Sequence, residues 1–222
     1  MKKVFLTLVC AVVALSASAQ RASSSSSSFF STESSDQPVT FGIRAGVNFA
    51  NATEEEDGYS YSPKSNTNFH LGVAVDFPLL QSLYIQSGLY YTVKGWKLDD
   101  DGEEVKANPA YLEIPILASY RYDFSDAAQL QINFGPYLAY GIGGKVKYEY
   151  RGHSNEYDFF GDEHDDSWGA KRFDAGLQIG AGIIFAQHIY VGCAYEIGLA
   201  NIARGDNSVK NKNFMISLGY QF

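Results

Sequence analysis

The feature that most constrains the fold of this chain is an alternation of apolar and polar side chains that recurs eight times after residue 40. In the last of these segments Phe214, Ile216 and Leu218 share one parity, while small or polar residues occupy the other. Successive side chains of a β-strand point to opposite faces, so this period of two predicts strands with one apolar face. The predicted apolar faces run through 41–49, 69–77, 83–93, 112–122, 130–142, 173–185, 189–199 and 214–222.

The number of strands and the lengths of their connections predict how the strands are arranged. Bacterial single-chain barrels have an even number of antiparallel strands, with short turns at one end and longer loops at the other. The sequence therefore predicts an all-β fold, an eight-stranded antiparallel up-and-down transmembrane β-barrel. The short connections lie near 78–82, 125–127 and 186–188, and the longer ones are 51–66, 96–109, 149–170 and 200–212.

Glycine usage indicates which face of the strands points outward. The alternation alone fits a membrane barrel, apolar outside, or a soluble lipocalin-like barrel, apolar inside. Thirteen of the 21 glycines lie on the polar face within the predicted strands, among them Gly72, Gly180 and Gly192. Glycine weakens a water-facing strand, whereas the narrow lumen of an eight-stranded barrel needs small residues beside large ones. We therefore expect the apolar faces to meet lipid, bracketed by aromatic pairs such as Phe41 and Phe49.

The first 38 residues are expected to lie outside the barrel. Lys2 and Lys3, an apolar run and small residues up to Ala19 form the pattern of a secretory signal peptide. A retained helical anchor is the alternative, but the apolar run is too short to span a bilayer. The domain prediction is a signal peptide at 1–19, a serine-rich disordered periplasmic tail at 20–38 and the barrel domain at 39–222.

Charged side chains occur on the polar face of the predicted strands and would point into the lumen. Four are basic and four are acidic, so we expect them to pair, because buried charges are tolerated only with partners and hydrogen bonds. The interpretation is a structural plug, and the alternative is a proton or ion path or a small polar ligand site. The predicted network consists of Arg44, Asp76, Lys94, Glu113, Arg121, Arg172, Asp174 and Glu196, with His70 and Tyr137 among them.

Motifs for chemistry are sparse, and we predict neither an enzyme nor a cofactor. The sequence lacks the Gly-x-Ser-x-Gly motif of hydrolases and the paired histidines of helical metal sites. A net charge of −8 argues against nucleic acid as a partner. The acidic loop 149–170 contains weak candidates for a divalent cation site, although solvated loop charges are the simpler interpretation. These candidates are Asp162, Glu163, His164 and Asp165.

Five short segments match the pattern of a known family. Over about residues 40–222 the chain resembles the PorT-like, porin-type outer-membrane β-barrel family. The resemblance implies an integral barrel of the Gram-negative outer membrane, surrounded by lipid, with extracellular long loops and periplasmic termini. It also implies that the barrel-assembly machinery recognises Tyr220 and Phe222. The segments are Tyr111-Leu112-Glu113-Ile114-Pro115, Gly135-Pro136-Tyr137-Leu138, Phe173-Asp174-Ala175-Gly176-Leu177, Tyr195-Glu196-Ile197-Gly198-Leu199 and Leu218-Gly219-Tyr220-Gln221-Phe222.

The sequence and the family resemblance together give four functional hypotheses. The leading one is a non-enzymatic outer-membrane barrel, plugged by its ion pairs, that presents acidic loops for binding or envelope integrity. The alternatives are a small porin-like diffusion pore and an accessory of a protein-secretion system, the role of the family's namesake, with a surface or secretion protein as partner. A hydrolase would depend on His153, Ser154 and Asp165, which are faint candidates.

Overall fold

Twelve β-strands make up most of the part of the chain that the computed structural model describes, namely residues 37–56, 59–100, 103–125, 127–150, 153–161, 167–204 and 207–222. The predicted signal peptide and most of the predicted serine-rich tail lie outside these residues. The strands are β1 (Thr40–Glu56), β2 (Tyr59–Tyr61), β3 (Lys64–Pro78), β4 (Leu83–Val93), β5 (Trp96–Asp100), β6 (Glu103–Ser125), β7 (Ala128–Tyr150), β8 (His153–Phe160), β9 (Ser167–Ala170), β10 (Phe173–Phe185), β11 (Ile189–Gly198) and β12 (Ser208–Gln221).

Eight of these strands form a closed antiparallel barrel. Its order is β1, β3, β4, β6, β7, β10, β11 and β12, and β12 pairs with β1 to complete the ring. In the closing pair Val47 lies opposite Ile216 and Phe49 lies opposite Phe214. Each of the eight alternating segments of the sequence lies on one of these strands, so the predicted fold class is confirmed. No helix among the described residues is long and apolar enough to cross a membrane.

The four remaining strands are short and lie at one end of the barrel, which we call the loop end. Strand β5 pairs with the upper part of β6, β8 pairs with the upper part of β7, β9 runs parallel to β8, and β2 pairs with β1. The opposite end, with the short connections, is the turn end. The prediction of loops at 51–66, 96–109 and 149–170 is therefore wrong for much of these segments, and the predicted loop at 200–212 contains the first residues of β12. Side chains above the lipid need not be apolar, so strands there lose the alternation that identifies them.

The burial of side chains shows which face is inside. Leu71 is 57% exposed and Ile179 is 54% exposed on the outer surface, whereas Tyr137 and Glu196 in the lumen are completely buried. Aromatic pairs lie near both edges of the apolar band, such as Phe49 with Phe214 and Tyr220 with Phe222. The membrane-type orientation is thus confirmed, and the lipocalin-like alternative is wrong.

Lumen glycines make room for the rings of tyrosine residues on the same or neighbouring strands. A Cβ atom at Gly182 would lie 2.5 Å from the Tyr190 ring, and one at Gly176 would lie 2.7 Å from the Tyr137 ring. The expected combination of small and large residues is therefore present. Gly143 is an exception, because a Cβ atom there would meet no other atom within 4 Å. A β-bulge beside Tyr111 shifts the register of β7 and reverses which side chains of its upper part face inward.

Candidate functional site

Lys94 occupies the centre of the upper lumen, close to the loop end. It follows β4, where its backbone N–H donates to the Pro109 carbonyl over 2.9 Å, and Gly95 with a φ of 137° allows the chain to turn into β5. The Lys94 side chain is fully buried. Its Nζ lies 2.7 Å from Glu113 Oε2, 3.2 Å from Glu196 Oε2 and 3.4 Å from Asp174 Oδ2. We call these four residues, Lys94, Glu113, Asp174 and Glu196, the Lys94 group.

Neutral side chains extend the Lys94 group. Asn211 Nδ2 donates to Asp174 Oδ2 over 2.9 Å, and Asn213 Nδ2 donates to Glu196 Oε2 over 3.2 Å. The Tyr137 hydroxyl donates to Asp174 Oδ2 over 3.4 Å, and the Lys94 ammonium lies 4.1 Å from the centre of the Tyr137 ring. The ammonium is therefore held by carboxylates and by an aromatic face in a region of low dielectric constant.

A cluster of aromatic side chains covers the Lys94 group at the loop end. Strand β8 brings Phe159 and Phe160 over the mouth of the barrel, where Phe159 packs edge-on against Trp96 with 5.6 Å between ring centres. Phe160 packs against Tyr111 at 5.5 Å, and Trp168 packs against Phe159 at 4.9 Å. We call Trp96, Phe159, Phe160 and Trp168 the aromatic cap. With the buried Ile202 and Val209 it forms an apolar core that separates the Lys94 group from the solvent above.

A second charged group lies nearer the turn end, and we call Arg44, Asp76, Gln86 and Arg121 the Arg121 group. Arg121 Nη2 lies 2.6 Å from Asp76 Oδ2, and Gln86 Nε2 donates to Asp76 Oδ1 over 2.6 Å. Gln221 Nε2 also donates to Asp76, over 3.4 Å. Arg44 Nη1 donates to Gln86 Oε1 over 2.9 Å.

Tyrosine rings support both guanidinium groups of the Arg121 group. Arg44 lies 3.9 Å from the centre of the Tyr190 ring, and Arg121 lies 4.2 Å from that of Tyr84. These are distances at which a cation is attracted to an aromatic face. The guanidinium groups therefore have partners on their flat faces as well as at their N–H edges.

The space between the two groups is small. A cavity of about 30 Å³ lies between them and is lined by residues that include Arg44, His70 and Glu113. His70 Nδ1 is 2.6 Å from Asn48 Oδ1 and its Nε2 is 2.9 Å from Ser217 Oγ, so both ring nitrogens have partners. A second cavity, of about 10 Å³, lies below Arg44. Volumes of this order hold about one or two water molecules.

The structure brings seven of the eight predicted network residues into these two groups and places the eighth elsewhere. Arg172 is exposed at the loop end, just before β10, where its Nη1 donates to the Gly141 carbonyl over 3.0 Å. Its guanidinium lies 5.2 Å from the centre of the Phe160 ring. The expectation that it joins the lumen network is wrong, because the residue precedes the strand whose alternation would turn it inward. Arg44, in contrast, does lie in the lumen, where it joins the Arg121 group through hydrogen bonds to glutamine amides.

The sequence interpretation missed the amide side chains that complete both groups and the whole aromatic cap. Gln86, Asn211 and Asn213 lie on the same inward parity as the charged residues, and this signal could have identified them. Phe159 and Phe160 are adjacent in an acidic segment without alternation, so no comparable signal marked them.

The structure gives no added support to the predicted metal site or to the hydrolase candidates. The weak metal candidates Asp162, Glu163, His164 and Asp165 lie outside the described residues. Within the described ranges, no group of His, Cys, Asp and Glu side chains is arranged to hold a metal ion. His153 and Ser154 are exposed at the start of β8.

Comparisons with known proteins agree with the barrel architecture. A family model described as outer membrane protein beta-barrel domain matches residues 19–204. No curated protein sequence matches the chain.

Three solved structures illustrate the similarity. Ail, the attachment invasion locus protein of Yersinia pestis, is 19% identical, with 86% of this chain and 100% of that chain covered and a TM-score of 0.39. The outer membrane protein OprG from Pseudomonas aeruginosa is 12% identical, with 82% and 95% covered and a TM-score of 0.44. Neisserial surface protein A is 12% identical, with 83% and 98% covered and a TM-score of 0.42.

Proposed function

Since this chain belongs to the outer membrane protein beta-barrel domain family and lies in the bacterial outer membrane, we propose that it is a non-conducting barrel that acts through its loop end. Its lumen serves as a structural support, and the part of the chain above the lipid binds a partner or contributes to the integrity of the envelope. We assign it no catalytic role. In this proposal the loop end faces the outside of the cell and the termini lie in the periplasm.

The observation that carries the proposal is the succession of layers that fill the lumen. The aromatic cap covers the loop end, the Lys94 group lies below it, and the Arg121 group fills the turn end. The cavities between these layers are of the size of single water molecules. Diffusion of a solute would require several buried ion pairs and ring contacts to separate together, which is energetically costly.

The surface above the lipid offers a place for a partner to bind. There β5, β6, β7 and β8 form a continuous sheet that extends the wall of the barrel. Lys97, Lys106 and Lys147 lie side by side across three of its strands, with Glu104 and Glu149 as ion-pair partners. An exposed sheet face with charges of both signs suits a protein partner with complementary charges.

The turn end fits an interaction during assembly. Tyr220 stacks on His188 with 5.4 Å between ring centres, and Phe222 is 69% exposed. Both are aromatic, and both lie on the outer surface where another protein could reach them. We therefore retain the proposal that the barrel-assembly machinery recognises Tyr220 and Phe222.

Single-channel conductance in a planar lipid bilayer tests the closed lumen. The refolded native protein should be electrically silent, whereas Glu113→Ala, which removes the side chain of the Lys94 group that lines the cavity of about 30 Å³, should leak. Glu156→Ala on the exposed sheet extension is the matched control and should stay silent. Discrete, ion-selective openings of the native protein would overturn the proposal and make a small diffusion pore the function.

A further inference from the structure

The Lys94 group contains more negative than positive groups. It places one ammonium against three carboxyl groups, and the side chains are between 0% and 4% exposed. If all three carboxyl groups were ionised, two negative charges would stay uncompensated in a dry part of the lumen. An isolated buried charge is so costly that such a group is neutralised instead.

The donors available to the three carboxyl groups are unevenly distributed. Asp174 Oδ2 accepts from Lys94, Asn211 and Tyr137, and Glu196 Oε2 accepts from Lys94 and Asn213. Glu113 Oε2 lies 2.7 Å from Lys94 Nζ, but it has no hydrogen-bond partner among the described residues. Among the described residues Glu113 is thus the carboxyl group whose negative charge is least compensated, although it is as deeply buried as the others.

Unpartnered oxygen atoms indicate that the group lacks a donor. Within the described part of the chain five oxygen atoms of the cluster are buried without a hydrogen-bond partner, namely Glu113 Oε2, Asp174 Oδ1, Glu196 Oε1, Asn211 Oδ1 and Asn213 Oδ1. All five atoms are acceptors, and leaving an acceptor buried and unpaired is destabilising. The cluster therefore has more acceptors than donors. One added O–H group would reduce this excess.

The carboxyl groups of Glu113 and Glu196 converge on the same Lys94 ammonium, with Oε2 atoms 2.7 Å and 3.2 Å from its Nζ, so they are close neighbours. Two ionised carboxylates at such a distance repel, and one proton between them replaces the repulsion by a hydrogen bond. The charged and titratable groups around the pair on the neighbouring strands are Arg44, His70, Tyr90, Lys94, Tyr111, Tyr137 and Asp174.

The charge of the whole lumen supports a single proton. Lys94, Arg44 and Arg121 supply three positive charges, and Glu113, Asp174, Glu196 and Asp76 supply four negative ones when ionised. One bound proton makes these described charges balance. We propose that Glu113 is a proton-binding site, which at neutral pH holds a proton that it donates to Glu196. The cavity of about 30 Å³ beside Glu113 gives that proton a hydrated place of entry. This proposal is independent of what the loop end binds.

Infrared spectroscopy of the refolded protein in lipid vesicles at neutral pH tests the proposal directly. A protonated carboxylic acid has a C=O stretching band that ionised carboxylates lack, and the band shifts when H2O is exchanged for D2O. The native protein should show this band, and Glu113→Gln should lose it. Because a glutamine amide can donate to Glu196 as the protonated acid does, Glu113→Gln should unfold at nearly the native temperature.

Glu156→Gln is the matched control, since it makes the same chemical change in an exposed carboxyl group on the sheet extension, outside the lumen. It should retain the infrared band and unfold at nearly the native temperature. Absence of the band in the native protein would overturn the proposal. So would persistence of the band in Glu113→Gln, or a native unfolding temperature that depends on the sodium concentration without any band, which would make a metal cation the occupant.

Discussion

The Lys94 group and the Arg121 group fill the same lumen at two heights, but they balance charge in opposite ways. In the Lys94 group one cation contacts three carboxyl groups below the aromatic cap. The Arg121 group has two guanidinium groups and one carboxylate, Asp76, which pairs with Arg121, while Arg44 donates to glutamine amides.

The difference reflects the chemistry of the two cations. An ammonium is compact and presents three donors, so a single lysine can reach three acceptors that converge from different strands. A guanidinium is flat, and it bonds at its edge while a tyrosine ring packs on its face. The amides of Gln86 and Gln221 also donate to Asp76, so this carboxylate keeps partners when Arg121 is removed. The Lys94 group depends on one residue, and the Arg121 group does not.

Replacing Lys94 by methionine should have the largest effect on stability. Removing one partner of a buried ion pair costs about 3 to 5 kcal/mol, and three carboxyl groups lose their cation here, so we expect a loss of about 5 kcal/mol. Methionine retains most of the apolar volume, which limits the effect of packing. The measurement is urea-induced unfolding in lipid vesicles, followed by tryptophan fluorescence.

Lys145→Met is the control for this prediction, because Lys145 is 61% exposed and pairs with Glu156 on the sheet extension. Exposed pairs contribute about 0 to 1 kcal/mol, so its unfolding midpoint should change little. Equal unfolding midpoints for Lys94→Met and Lys145→Met would contradict the central role of Lys94.

Replacing Arg121 by methionine should lower the free energy of unfolding by less than Lys94→Met does, by about 2 kcal/mol. Asp76 would still accept hydrogen bonds from Gln86 and Gln221, so the loss corresponds to an incompletely satisfied buried group. The same urea titration measures this loss in the free energy of unfolding. Its ratio to the loss in the Lys94 variant expresses the difference between the two groups. A loss as large as that of Lys94→Met would show that the amides do not substitute for the guanidinium.

The barrel could be predicted from the sequence because lipid determines its outer face. Apolar side chains at every second position are required wherever a strand crosses the membrane, and this repeat is visible without any structure. Above the lipid the requirement ends, and Lys97, Lys106 and Lys147 lie on strands that were expected to be loops. The extent of the strands beyond the membrane was therefore hidden from an argument based on alternation.

The lumen site could be predicted in composition but not in pairing. Parity places side chains inside the barrel, whereas the height of each one depends on the stagger between tilted strands. Asp76 on β3 meets Arg121 on β6, and Lys94 at the end of β4 meets Asp174 at the start of β10. The pairing of Arg121 with Asp76, rather than with Glu113 or Glu196, follows from this stagger.

The smallest predicted effect concerns an ion pair outside the membrane, on the sheet extension. Hydrogen bonds from Lys106 and Lys97 lower the pKa of Glu104 to about 2. A carboxyl group whose pKa is lowered by folding stabilises the folded state above its unfolded pKa of about 4.3, and this contribution is lost as the pH falls through about 2. Water and salt screen these charges, unlike those of the Lys94 group. In NMR spectra of the protein in nanodiscs, the β5–β6 amide signals should therefore titrate near pH 2, while the barrel stays folded. Lys106→Gln should raise that midpoint, and an ordinary glutamate midpoint in the native protein would show that water, rather than the lysines, solvates Glu104.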